Sequence, residues 1–209
     1  MNFCQSLSVV LLVSLSACAP VSVDEDLFDG GIAAGRFSDA DTVRIMTIFQ
    51  DNDTIFASTP EVTTGQHTFY GAVGFTFDRG IITSGLYEVI FGRLDLSVDF
   101  NNASVGGEAG AFAAYHYDYD VTDQSVTMSG FLRDVDGTLD FDGAPAGNVI
   151  AGDVIGTVMN DGNSIRLDGT FEGFVTDQNG TVTVAGTILP VEDAGPIVIY
   201  NGRFFGEAE

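Results

Sequence analysis

From residue 162 to residue 206 apolar and polar positions alternate. Ile165, Leu167, Phe171 and Val175 share one parity, while Arg166, Asp168, Thr170 and Glu172 fill the other. A period of two sets one face against a core and the other in water, which is the pattern of a half-buried strand. Asp177-Gln178-Asn179-Gly180 then supplies the Asn and Gly that a tight hairpin turn requires. The next run sets Val182, Val184 and Ile188 against Thr181, Thr183 and Thr187.

The same pattern reaches back to residue 68. Phe69, Val73, Phe75 and Phe77 alternate with Tyr70, Thr76 and Asp78. In the following run Tyr87, Val89 and Phe91 are odd, whereas Leu94, Leu96, Val98 and Phe100 are even, so the apolar phase flips at Gly92. A bulge at Gly92 would keep one face inward and bend the strand, as a closing barrel requires. The pattern predicts eight strands: 68–77, 86–100, 104–119, 124–132, 148–159, 164–175, 180–189 and 196–206. Eight alternating strands joined by short turns predict an all-β fold, a single eight-stranded antiparallel up-and-down barrel. Glycines at 71, 130, 152, 156, 169, 173 and 186 fall on the inward parity, where small residues suit a narrow lumen. Residues 133–147 read as a long loop, and residues 43–66 as one or two short strands and a loop packed on a barrel spanning 67–209. A membrane-spanning barrel would turn its apolar face to lipid. Here the outward face carries Arg166, Asp168 and Glu172, so a soluble barrel is expected.

The first 42 residues follow another pattern. Leu7 to Leu15 is a short apolar run, too short to span a bilayer as a helix, and it reads as an export signal. Leu15-Ser16-Ala17-Cys18 follows in the manner of a bacterial lipobox. Residues 1–17 are therefore expected to be a lipoprotein signal peptide and Cys18 the acylated residue. The run before the apolar stretch has no Lys or Arg, and an ordinary secretory signal is the alternative. Residues 18–42 are acidic, Gly-rich and aperiodic, and read as a flexible tether.

Charge narrows the partners. The 209 residues carry 30 acidic and seven basic side chains, a net charge of −23, and every basic residue is Arg. Such a chain repels nucleic acid and anionic lipid head groups, so its membrane contact is expected through the lipid anchor alone. Cys4 and Cys18 lie outside the predicted barrel, so no disulfide is expected to hold it.

The runs LDLSVDFNNASVGGEAGAF and LDGTFEGFVTDQNGTVTVAGTI, with the closing YNGRFFGEAE, resemble the strand signatures of the transferrin-binding protein B type of β-barrel surface lipoprotein, a group that includes factor-H-binding-type barrels. The resemblance covers roughly residues 68–206 and rests on glycines, aromatics and turns. It implies a lipid-anchored protein of the bacterial outer membrane, displayed at the cell surface, that binds a protein or a haem or metal carrier and is not an enzyme. The chain differs from that pattern in having one barrel, no large handle domain and no Lys.

Two clusters are candidate sites. Tyr115, His116, Tyr117 and Tyr119 combine side chains able to ligate haem iron or form a ligand-binding rim. Asp134, Asp136, Asp140 and Asp142 offer the clustered carboxylates that calcium favours, although the glycine spacing does not fit an EF-hand. The alternatives are an aromatic strand end and a solvated acidic loop. No nucleophile elbow, P-loop or dinucleotide fingerprint occurs, so a binding module is expected rather than an enzyme. Loops 133–147 and 190–196 are the expected contact sites, and a monomer is expected. A structural lipoprotein facing the periplasm and a carrier of a small apolar ligand remain as alternatives.

Overall fold

The computed structural model describes residues 27–55, 60–78, 86–120, 125–160, 162–190 and 198–209. Eight strands close into one antiparallel barrel in sequence order, with β8 paired to β1. They are β1 Gln66–Asp78, β2 Leu86–Asp99, β3 Ser104–Asp120, β4 Ser125–Ala146, β5 Val149–Asn160, β6 Asn163–Gln178, β7 Thr181–Pro190 and β8 Val198–Ala208. The expected all-β up-and-down barrel is thus the observed fold.

The lumen is a packed core. Phe69, Leu94, Leu139, Val154, Leu167, Phe171, Val184 and Phe204 are among its fully buried residues. Phe141, Phe171 and Phe204 meet there as edge-on or tilted rings with centroids 5.3 to 6.2 Å apart. That spacing suits the aromatic quadrupole, which disfavours face-to-face stacking. The inward glycines have a definite role. Gly173 pairs with Gly186 across β6 and β7, and a Cβ on either would lie 2.7 or 2.6 Å from Cζ of Phe204. The Cβ of Gly186 would also lie 2.2 Å from the carbonyl oxygen of Glu172. Small residues there let strongly coiled neighbouring strands approach and leave room for an aromatic ring above them. Gly130 departs from the expectation: its φ is +126°, and a Cβ there would point toward Asp39, outside the lumen.

Three further expectations are corrected. Residues 133–147 are not a long loop, because β4 runs on to Ala146. Val135, Leu139 and Phe141 bury inward while the aspartates stand out in water, an alternation that holds the segment in the sheet. The phase flip in β2 is not a bulge at Gly92. β2 pairs with β1 without a break from Phe77↔Glu88 to Gln66↔Asp99. Ile90, Leu94, Leu96 and Val98 all belong to the lumen, whereas Val89 and Phe91 belong to a second apolar cluster on the outside. The register shift opposite Gly92 lies in β3, where Ala111 takes a φ of +50°.

The outer cluster exists because residues 27–55 are neither tether nor strand. They form a strap of one 3-10 turn, η1 Gly31–Ala34, and one helix, α1 Asp39–Ile55. Ser38 and Asp41 begin α1 as a reciprocal cap: Asp41 N–H donates to Ser38 Oγ at 3.2 Å, and Ser38 N–H donates to Asp41 Oδ2 at 3.1 Å. Each bond satisfies a donor that the helix start would leave open. Asp39 and Asp41 also suit the positive end of the helix dipole. Thr42, Ile45, Ile48 and Phe49 bury one helix face on the barrel wall. The wall receives them with small residues. Ala72, Ala113 and Ala185 lie in the outer cluster, and a Cβ on Gly74 would come within 2.7 Å of the Phe49 ring.

Residues 60–66 close one barrel end. Val62 N–H donates to the carbonyl of Val175, and Asp177 N–H to that of Pro60, so the segment pairs with the end of β6 before β1 begins.

Candidate functional site

The barrel has two unlike outer walls. The strap covers one of them. Its start lies over β8, where Phe28 meets Phe205 at 5.7 Å and Phe37 at 6.3 Å. It crosses β2, where Ile32 N–H donates to Asp95 Oδ1 at 3.0 Å. It reaches β4, where the Arg36 guanidinium lies 4.0 Å from the Phe131 ring centroid and pairs with Asp134 at 3.4 Å. Helix α1 then returns to β8, where Arg203 donates to the Phe49 carbonyl.

Barrel side chains clamp this strap by its backbone. Arg93 is 7% exposed. It donates from Nε to the carbonyl of Gly35 at 2.6 Å and from Nη1 to that of Asp29 at 3.4 Å, and lies 4.2 Å from the centroid of Phe37. Burial draws its pKa below the ordinary arginine range, and the charges of Asp41 and Asp95 oppose that shift. Tyr115 is fully buried and donates its hydroxyl to the Phe37 carbonyl at 2.7 Å. Burial pushes its pKa up, because the phenolate loses hydration; the nearby Arg36 works in the opposite direction.

The structure divides the proposed tyrosine–histidine site. Tyr115 is committed to the strap, and Tyr117 is half-buried against the same outer cluster. His116 alternates with them along β3 and is half-exposed. Tyr119 lies in β3, with its side chain outside the described residues. Tyr115, Tyr117 and His116 therefore do not converge on one centre. The residues that hold the strap, Arg93 and Arg203, were not singled out in the sequence. Their signal is weak: a basic residue on an outward parity beside apolar outward neighbours such as Phe91 and Phe205.

The other wall is open and acidic. Asp136, Asp140 and Asp142 on β4, Glu108 on β3, Asp153 on β5 and Glu172 on β6 are all exposed, with Asp168 half-exposed. Asp140 sits directly opposite Glu108, and Asp142 opposite Asp153. Like charges so placed repel, which costs the sheet stability. Arg166, paired with Asp168 at 3.4 Å, is the arginine on this wall among the described residues. The proposed calcium set is spread out as well. Asp134 and Asp142 are eight residues apart on one strand, or roughly 26 Å. No group of three metal-binding side chains is brought together among the described residues. Amid these carboxylates Ile155 is 47% exposed, with Asp140 opposite it on one side and Asp168 on the other. Leu189 on β7, at 52%, and Phe174 on β6, at 38%, are further exposed apolar residues.

Cys18 and loop residues 191–197 lie outside the described residues. No helix among the described residues is long and apolar enough to cross a membrane. Comparison with family models, with curated proteins and with solved structures finds no match to this chain.

Proposed function

We propose that this chain is a lipid-anchored binding module, held through Cys18 at the bacterial outer membrane, that captures a protein partner at the cell surface. The observation that carries the reading is the open wall, where exposed Ile155 lies between Asp140 and Asp168. An apolar centre rimmed by charge is the usual anatomy of a protein–protein contact. The partner surface this wall fits is basic, with an apolar residue placed to meet Ile155. Binding through the wall replaces binding through loop 133–147, since that segment is strand. A haem or metal carrier belongs within this reading as a protein partner, recognised by its surface. The rings of Phe141, Phe171 and Phe204 fill the lumen, which weighs against carriage of a small apolar ligand.

The test has two arms. Protease applied to intact cells should cleave the protein, and resistance until lysis would place it on the periplasmic side. A photo-crosslinking residue at position 155 should yield a discrete adduct that is lost when Asp140 and Asp168 are changed to Asn. An adduct that persists unchanged would remove the acidic rim from the recognition.

A further inference from the structure

We infer that α1 is a helix only while it is seated on the barrel, and that its seat is open to exchange: an amphipathic helix of a partner protein can take the place of α1. The inference concerns the covered wall and does not depend on the reading of the open one. α1 is poor material for a helix. Seven of its 17 residues are β-branched and four are Asp, while Ala40, Arg44, Met46 and Gln50 are its strong helix formers. No basic residue stands in its last turn to meet the dipole. A helix of this kind owes its stability to the packing of one face rather than to propensity. That face is Ile45, Ile48 and Phe49, all buried in the outer cluster with Ala72 and Ala113 of the barrel. Gly74 and Phe91 receive the Phe49 ring: a Cβ on Gly74 would lie 2.7 Å from it, and the two ring centroids are 6.0 Å apart.

The barrel grips the strap by its main-chain oxygens. Arg93 holds the carbonyls of Gly35 and Asp29, Tyr115 that of Phe37, and Arg203 that of Phe49. Every chain has such carbonyls, so this grip selects a backbone course and not a sequence. What the seat selects is an apolar triplet at i, i+3 and i+4 on one helical face. The closed barrel has no free strand edge, so an incoming segment cannot add to it as a strand. A helix satisfies its own backbone and is the form that fits. α1 has the advantage of being held at both ends. Arg93 holds the chain before it, and residues 60–62 pair with the end of β6 after it. A competitor meets the seat only while α1 is off it, and its apparent affinity falls by that fraction. Its own advantage is that a good helix former needs no ordering on arrival.

The probe is a fluorescent peptide of the length of α1. It carries Ile, Ile and Phe at the positions of Ile45, Ile48 and Phe49, and Ala, Glu and Gln elsewhere, so that charge does not draw it to the acidic chain. Titrated with the full chain and followed by anisotropy, it should bind saturably, while amide exchange speeds up in α1 and not in β5 to β7. Arg93→Met should tighten the apparent affinity about 30-fold or more, through a larger open fraction. Tyr115→Phe removes the hydroxyl bond to the Phe37 carbonyl and should tighten it by a smaller factor, which keeps the comparison decisive if Arg93→Met does not fold. A peptide with the three apolar residues moved to the opposite face should not bind. Binding that leaves α1 protected, or that is equal in the wild type and both variants, would overturn the exchange. So would the absence of binding to all three. Dimers of Arg93→Met that the peptide disperses would overturn the assignment to a partner and give the seat to α1 of a second copy. The free peptide Asp39–Ile55 should show little helix by circular dichroism in water, and a helical spectrum would overturn the conditional helix.

Discussion

Replacing Arg93 with Met should release the strap while leaving the barrel closed. Arg93 donates to the carbonyls of Gly35 and Asp29 and lies over the Phe37 ring, and Met keeps most of its apolar stem. The bond to Gly35, at 2.6 Å, is charge-assisted, and such bonds contribute about 1.5–3 kcal/mol; the one to Asp29, at 3.4 Å, adds little. The ring contact adds about 0.5–2 kcal/mol. Against this, Met escapes the desolvation that draws the Arg93 pKa down. A net loss of about 2–3 kcal/mol is expected, and at about 1.4 kcal/mol per factor of ten that is about 30- to 150-fold more frequent strap opening. Amide hydrogen exchange reads this residue by residue. Protection in α1 should fall by that factor, with the inner strands β5 to β7 unchanged, because the lumen core does not include the strap. Unchanged protection in α1 would show that Arg93 does not clamp it. An equal loss in every strand would show that strap and barrel unfold as one unit.

Three further outcomes are expected. The raised pKa of Tyr115 means that the folded state favours the neutral phenol, so this contribution is complete below about pH 10 and is lost as pH rises through the folded value; strap protection should fall in that range, and Tyr115→Phe should abolish the alkaline step. Phe204→Ala should cost about 3–5 kcal/mol in denaturant unfolding against about 0.5 kcal/mol for Thr170→Ala, since one lies in the lumen and the other in water, and equal costs would contradict the register. The melting temperature should rise with NaCl, because screening relieves facing pairs such as Asp142 and Asp153, and CaCl2 at matched ionic strength should give the same curve, since no group of three metal-binding side chains is brought together among the described residues; a higher curve in CaCl2 would restore a calcium site.

Local pattern was enough for the barrel. Period-two alternation in Phe69–Phe75 and Ile165–Val175, punctuated by turns such as Asn179-Gly180, lets every strand bury one face when neighbours pair in order and the sheet closes on its own core, and the chain folds that way. The same information misplaced the segments whose environment comes from elsewhere in the chain. Val43, Ile45 and Thr47 are β-branched and alternate, so they read as strand, yet Ile45, Ile48 and Phe49 also share one helical face. Contact with the Ala72–Gly74 seat on a distant strand chose the helix. Val89 and Phe91 read as inward because outward positions normally meet water, and the strap removes that water. Asp134 to Asp142 read as a loop because its many Asp and Gly residues masked the inward Val135, Leu139 and Phe141. Tyr115 gave no sign that its hydroxyl bonds a carbonyl 78 residues earlier. Alternation along a strand records how many of its faces are dry. It does not record which remote segment keeps them so, and for that reason the strap, the clamp of Arg93 and Tyr115 and the division into covered and open walls emerge only when the chain is folded.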